Sequence, residues 1–141
     1  MESIMTRPLK FKVWNKKSNE WCGTIGLNET ISHNELEYDT DDLVFVQYTG
    51  LTDSKDKEIC EGDILIHKTS SIFATGVIGQ VLYETDQGAY IFQYKRNGPN
   101  QHHTNLNCDV AFESVIIGNI FEHSKLLKAK YDCHLMDYVI E

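Results

Sequence analysis

The chain has 141 residues, which suits one domain built around one core, since single domains cluster near ~100–150 residues. Its formal charge of −8, from 21 acidic against 13 basic residues, works against a protein that must neutralise a phosphate backbone. The N-terminus carries no apolar core of a signal peptide, and no apolar run, that at residues 115–117 included, comes near the ~20 residues of a membrane helix, so a cytoplasmic protein with no membrane association is expected.

Residues 9–14 place Leu9, Phe11 and Val13 in alternation with lysine, the period of a strand with one buried face. A polar turn at 15–19 and a return strand at 21–27 make a hairpin, with Gly23 and Gly26 pointing to a bulge. Acidic residues then crowd one stretch: Glu35, Glu37, Asp39, Asp41 and Asp42. They fit either an acidic docking surface or a solvated loop that like charges keep extended. The spacing lacks the glycine and bidentate glutamate of a calcium loop.

Residues 43–48, LVFVQY, are rich in β-branched and aromatic side chains and read as a central strand that Thr49-Gly50 ends. The polar run 52–57 reverses the chain, with Asp56 at a position that asks for positive φ. Glu61-Gly62-Asp63 forms a corner: Gly62 supplies an unusual dihedral, and Asp63 accepts backbone N–H groups left free there. The pair Glu61 and Asp63 is too weak a pattern to signal catalysis.

Residues 72–84 hold two β-like pieces divided by Gly76 and Gly79, with Val77, Val81 and Tyr83 on one face. Asp86-Gln87-Gly88 signals a hairpin, and the return strand sets Tyr90, Phe92 and Tyr94 on one face, beside Lys95 and Arg96. That face suits a core or a stacking platform for nucleic acid. Residues 97–107 read as a loop whose His102-His103 pair lacks a third ligand at motif spacing, and 110–121 as a strand kinked at Gly118-Asn119. Ser124 reads as a helix N-cap; Leu127, Tyr131, Leu135 and Tyr138 follow at helical spacing, with a strand at 138–140 as the competing reading. The four cysteines, Cys22, Cys60, Cys108 and Cys133, form no CxxC pair and read as buried apolar residues. No GxSxG, HExxH or P-loop occurs, so neither catalytic residues nor cofactor nor metal are expected.

Three ordered motifs resemble the YopX family of phage and prophage proteins: Lys10-Phe11-Lys12-Val13-Trp14-Asn15; then Gln47-Tyr48-Thr49-Gly50-Leu51 with Asp53, Lys57-Glu58-Ile59 and Glu61-Gly62-Asp63-Ile64; and Ile117-Gly118-Asn119-Ile120-Phe121-Glu122 before Leu126-Leu127. Asp56 stands where the family usually has glycine, Cys60 where it often has an aromatic residue, and His123-Ser124 where Asn-Pro is common. The resemblance implies a mainly β fold over residues 1–128, similar to an SH3-type barrel with hairpin elaborations and a short C-terminal helix, followed by a tail at 129–141. It defines no catalytic residues. Tyr48, Gly50, Asp53, Glu61, Gly62, Asp63, Gly118 and Asn119 form its structural signature. The expected role is that of an oligomeric protein-binding module in the cytoplasm of a bacterial host, using the acidic stretch, the aromatic hairpin or the tail. A nucleic-acid-binding barrel is the alternative, ahead of an enzyme of unknown type.

Overall fold

The computed structural model describes residues 9–26, 40–68, 76–95 and 101–127. Alternating apolar residues in the first half give β1 (Lys10–Asn15), β2 (Glu20–Gly26), β3 (Leu43–Thr52) and β4 (Glu58–Cys60). The second half supplies β5 (Asp63–His67), β6 (Val77–Glu84), β7 (Ala89–Lys95), β8 (Gln101–Asn105), a short helix α1 (Cys108–Phe112) and β9 (Ser114–Asn119). These form two antiparallel sheets, of order β2-β1-β3-β4 and β8-β7-β6-β5-β9.

The expected barrel is corrected by this arrangement. Both described sheets stay open, because no ladder joins β4 to β5 or β9 back to β8. The chain turns from one sheet to the other at Gly62, whose φ of +85° suits glycine. Its N–H donates to Val81 O at 2.8 Å, and its carbonyl accepts Ile120 N–H at 2.8 Å. One residue thus ties the corner to β6 and to the segment after β9.

Two clusters of buried side chains form the core, the larger drawing Ile59 of β4 in among residues of the five-stranded sheet. Ile59, Leu65, Val77, Val81, Phe92, Leu106 and Ala111 fill the larger one, with Tyr90 and Tyr94 packed against it. Val46, Tyr48 and Cys60 form the smaller, flanked by Trp21, Val44 and Phe121. In the larger cluster the Phe92 ring lies across Gly79, where an added Cβ would come within 2.8 Å of it. Gly79 therefore makes room for an aromatic ring inside β6 rather than dividing the strand, as the sequence suggested.

Four other boundaries differ from expectation. β3 continues through Thr49-Gly50 to Thr52, with its register against β4 shifted between Tyr48 and Thr52. Gln101–Asn105 is a strand, because its polar residues pair with β7 at an exposed sheet edge where no apolar alternation is needed. Residues 110–112 are helical, because the Asn107 side chain accepts Val110 N–H at 2.9 Å and caps a turn that buries Ala111. Ser124–Leu127 is a 3₁₀ turn rather than the start of an α-helix. Tyr131, Leu135, Tyr138 and the tail lie outside the described residues.

Candidate functional site

The bulge and the antiparallel register of the first sheet determine what its faces carry. Lys10 lies opposite Gly26, Lys12 opposite both Thr24 and Val46, and Tyr48 opposite Cys60. With a period of two, Lys10, Lys12 and Trp14 share one face of β1. Half of that face is covered: Trp14 contacts Trp21 edge-on at 5.0 Å and stacks on Phe121 at 5.4 Å. Asn119 fixes the covering turn, its Oδ1 accepting Phe121 N–H at 3.0 Å and Glu122 N–H at 2.8 Å. Glu122 Oε1 accepts from Asn119 Nδ2 at 2.9 Å and Trp21 Nε1 at 2.7 Å. These hydrogen bonds, Asn119's first, hold the Glu122 carboxyl below its usual range.

The other half of the face is a groove of about 430 Å³. Lys10, Lys12 and Thr24 form one side, Tyr48 and Cys60 the floor, and Asp56, Lys57 and Glu58 the opposite side, with Phe11 at its margin. The Lys10 ammonium pairs with Glu58, which raises its pKa, and sits 5.1 Å from the centre of the Tyr48 ring. The Lys12 ammonium lies 4.4 Å from the Trp21 ring. Burial pushes the Tyr48 hydroxyl up and the Cys60 thiol to about 11, so both remain protonated at neutral pH.

Two carboxylates close sheet edges around this groove. Glu61 N–H donates to Gln47 O at 2.9 Å, so the N–H of Cys60, one residue earlier, points away from β3. Asp63 Oδ2 accepts it at 2.7 Å. Glu61 Oε1 in turn accepts Gln47 N–H at 3.0 Å. Asp53 Oδ1 accepts Lys55 and Lys57 N–H, both at 2.9 Å, and its Oδ2 accepts Ile116 N–H at 3.0 Å on the outer edge of β9. Ser54 N–H adds a bond to Ser114 O at 2.9 Å. The turn after β3 thereby covers the β9 edge and joins the sheets. Asp56 occupies that turn at φ +62°, the left-handed region where aspartate is tolerated.

The other candidate surfaces are placed as follows. Phe92 is 1% exposed, and the half-buried Tyr90 and Tyr94 face the same cluster, so the aromatic side of β7 is a core face. Asp41 and Asp42 end the 3₁₀ turn Thr40–Asp42, where Asp42 O accepts Lys16 N–H at 2.8 Å. Glu35, Glu37 and Asp39 lie outside the described residues. His102 stacks on Tyr94 at 5.7 Å while His103 Nε2 meets Gln87 at 3.2 Å. Cys60 is buried, but Cys22 and Cys108 are exposed, which corrects the expectation of buried thiols: both stand on outward positions of an edge strand and a helix start. Cys133 lies outside the described residues.

A Ser-His contact appears that sequence spacing did not signal. His67 Nδ1 lies 3.1 Å from Ser114 Oγ. The Ser114 hydroxyl donates to Val110 O at 2.6 Å, leaving the His67 Nδ1–H to donate to Oγ. Ser114 is fully buried. Its proton is directed at a carbonyl rather than at a base, the geometry of a packing contact between β5, β9 and α1 rather than of an activated nucleophile.

The family model described as YopX protein matches residues 10–128. The chain belongs to the YopX family. The YopX match runs from β1 to just beyond the 3₁₀ turn Ser124–Leu127, and so contains both sheets, the groove and both edge-closing carboxylates. Among solved structures, the crystal structure of protein EF1440 from Enterococcus faecalis is similar to this chain, with a TM-score of 0.56 and 21% identity over 86% of this chain and 99% of that one. That likeness shows a shared fold. No curated protein matches the chain. Among the described residues, no helix is long and apolar enough to cross a membrane, and no group of three or more His, Cys, Asp or Glu side chains gathers as metal ligands do.

The groove lysines were not singled out from sequence. The alternation at 9–13 marked Lys10 and Lys12 as outward residues. What sequence lacked was the register that sets them beside Tyr48 and Cys60.

Proposed function

We propose that this YopX-family protein is a non-enzymatic phage or prophage accessory protein, acting in the bacterial cytoplasm as a self-assembling protein-binding module. The groove on the four-stranded sheet carries this reading, since it is a ligand-sized concavity with charged walls and an apolar floor. The closed edges support it too. With the Cys60 N–H and the β9 edge occupied by Asp63 and Asp53, recognition falls to side chains in the groove rather than to strand addition at those edges.

The test is affinity capture of the tagged full chain from phage-infected cells, in parallel with Lys12→Glu and Lys57→Glu variants. Partners retained by the parent and lost by both variants are the expected result. A set of partners indifferent to the groove overturns the reading. Self-assembly is tested by light scattering of the full chain and of a chain ending at Lys128; a monomeric mass for the full chain removes that part.

A further inference from the structure

We propose that the groove recognises a short acidic peptide segment of a protein partner, with carboxylates meeting Lys12 and Lys57 and an apolar side chain resting on Tyr48 and Cys60. This rests on the protein-binding reading above and names the chemistry of the partner.

Charge complementarity comes first. Among the described residues, the ion pair within 4.0 Å is Lys10–Glu58, so Glu58 is already engaged, whereas Lys12 and Lys57 are in direct contact with no described carboxylate, the Glu122 and Asp63 carboxylates feeling the Lys12 charge only at longer range. Lys12 instead lies over the Trp21 ring, a contact that holds an ammonium without neutralising it. The groove walls carry Lys10, Lys12 and Lys57 against Asp56 and Glu58, a net charge of +1 on a chain of −8. A local excess of positive charge on an acidic protein steers acidic ligands to that spot.

The position of Lys57 is set rather than incidental. Its backbone N–H is held by the buried Asp53 carboxylate, which fixes the turn at the groove wall. The Tyr48 hydroxyl adds a neutral donor, and the Lys10 and Lys12 stems add methylene surface alongside the floor. A volume of about 430 Å³ accommodates a few side chains. It does not provide the extended basic track on which single-stranded nucleic acid is bound.

The experiment is fluorescence anisotropy on the full-length protein at low and high salt. Three labelled probes are used: a peptide of glutamates interspersed with leucines, the same peptide with lysine for glutamate, and an oligothymidylate. The glutamate peptide is expected to bind saturably, more weakly at high salt, and to lose about tenfold or more in affinity when Lys12→Glu and Lys57→Glu are combined, since two rim-type ion pairs are lost together. Lys57→Glu alone, at an exposed position, keeps the test valid should the Lys12 variant misfold, and Lys95→Glu on β7 serves as the control that leaves binding unchanged. Equal binding of the lysine peptide, equal or tighter binding of the oligothymidylate, indifference to Lys57→Glu, or no binding of the glutamate peptide overturns the proposal. Groove-dependent capture without glutamate-peptide binding would refute the acidic chemistry alone, whereas groove-independent capture would refute the protein-binding reading itself.

Discussion

The Asp53 carboxylate accepts the backbone N–H of Ile116 at 3.0 Å, across the seam between the two sheets. Its other oxygen holds Lys55 and Lys57, so one side chain, 2% exposed, organises three backbone donors from two parts of the chain. Asp53→Ala leaves Ile116 N–H without its acceptor and frees the turn that covers β9. A loss of about 3 kcal/mol is expected, read as a lower urea midpoint, because hydrogen bonds to charged groups contribute about 1.5–3 kcal/mol each and water replaces only the exposed ones. Asp53→Asn turns one acceptor into a donor facing an N–H, so it should cost nearly as much. A midpoint unchanged in both variants would rule out this role for the seam.

Asp63 makes a different prediction, in pH. Burial pushes its carboxyl up from 3.8 to about 6, against the lowering effect of the Cys60 N–H. Between those values the folded chain holds a proton that the unfolded chain has released, so stability falls as pH rises from about 4 to about 6 and the deficit persists above that. The deficit is about 2–3 kcal/mol. Asp63→Asn keeps an acceptor for Cys60 and removes the ionisation. Its stability, measured by urea denaturation from pH 4 to pH 7, should gain on the parent as pH rises. A constant difference across that range would sink the argument.

How much of this was legible beforehand follows from the kind of interaction involved. The Gly62 dihedral, the positive φ of Asp56 and the Asp63–Cys60 contact are all local, and the residue types alone implied them. Asp53's bond to Ile116 spans 63 positions, and no local pattern encodes it. Lys10 and Lys12 looked like a solvated strand face, because only sheet register reveals that Tyr48 and Cys60 lie beside them. The polar strand Gln101–Asn105 was read as a loop since hydrophobic alternation is silent at an exposed edge. Open sheets were read as a barrel because the family resemblance supplied closure that the residues did not.

The glycines separate backbone strain from steric overlap. Gly50 has φ +91° with nothing within 4 Å of a built Cβ, so Gly50→Ala should cost only the left-handed backbone, about 1 kcal/mol. At Gly79 an added Cβ would stand 2.3 Å from Gln93 O and 2.8 Å from the Phe92 ring. Neither the neighbouring strand nor a fully buried ring can yield easily, so Gly79→Ala should cost about 3 kcal/mol. Thermal denaturation of the two variants ranks them, and a smaller loss for Gly79→Ala would contradict the packing described.

The thiols give a readout of the groove floor that needs no ligand. In a Cys133→Ser background three cysteines remain, of which Cys22 and Cys108 are exposed and Cys60 is buried. Reaction requires the thiolate, and burial, reinforced by the nearby Asp63 charge, holds the Cys60 thiol at about 11. Two thiols should therefore react promptly with an aromatic disulfide at neutral pH and the third only as the protein unfolds. Adding Asp63→Asn removes one negative charge near Cys60 but not its burial, the larger cause, so protection should persist. Prompt reaction of all three thiols in the folded protein would contradict the burial of Cys60 and the raised pKa that follows from it.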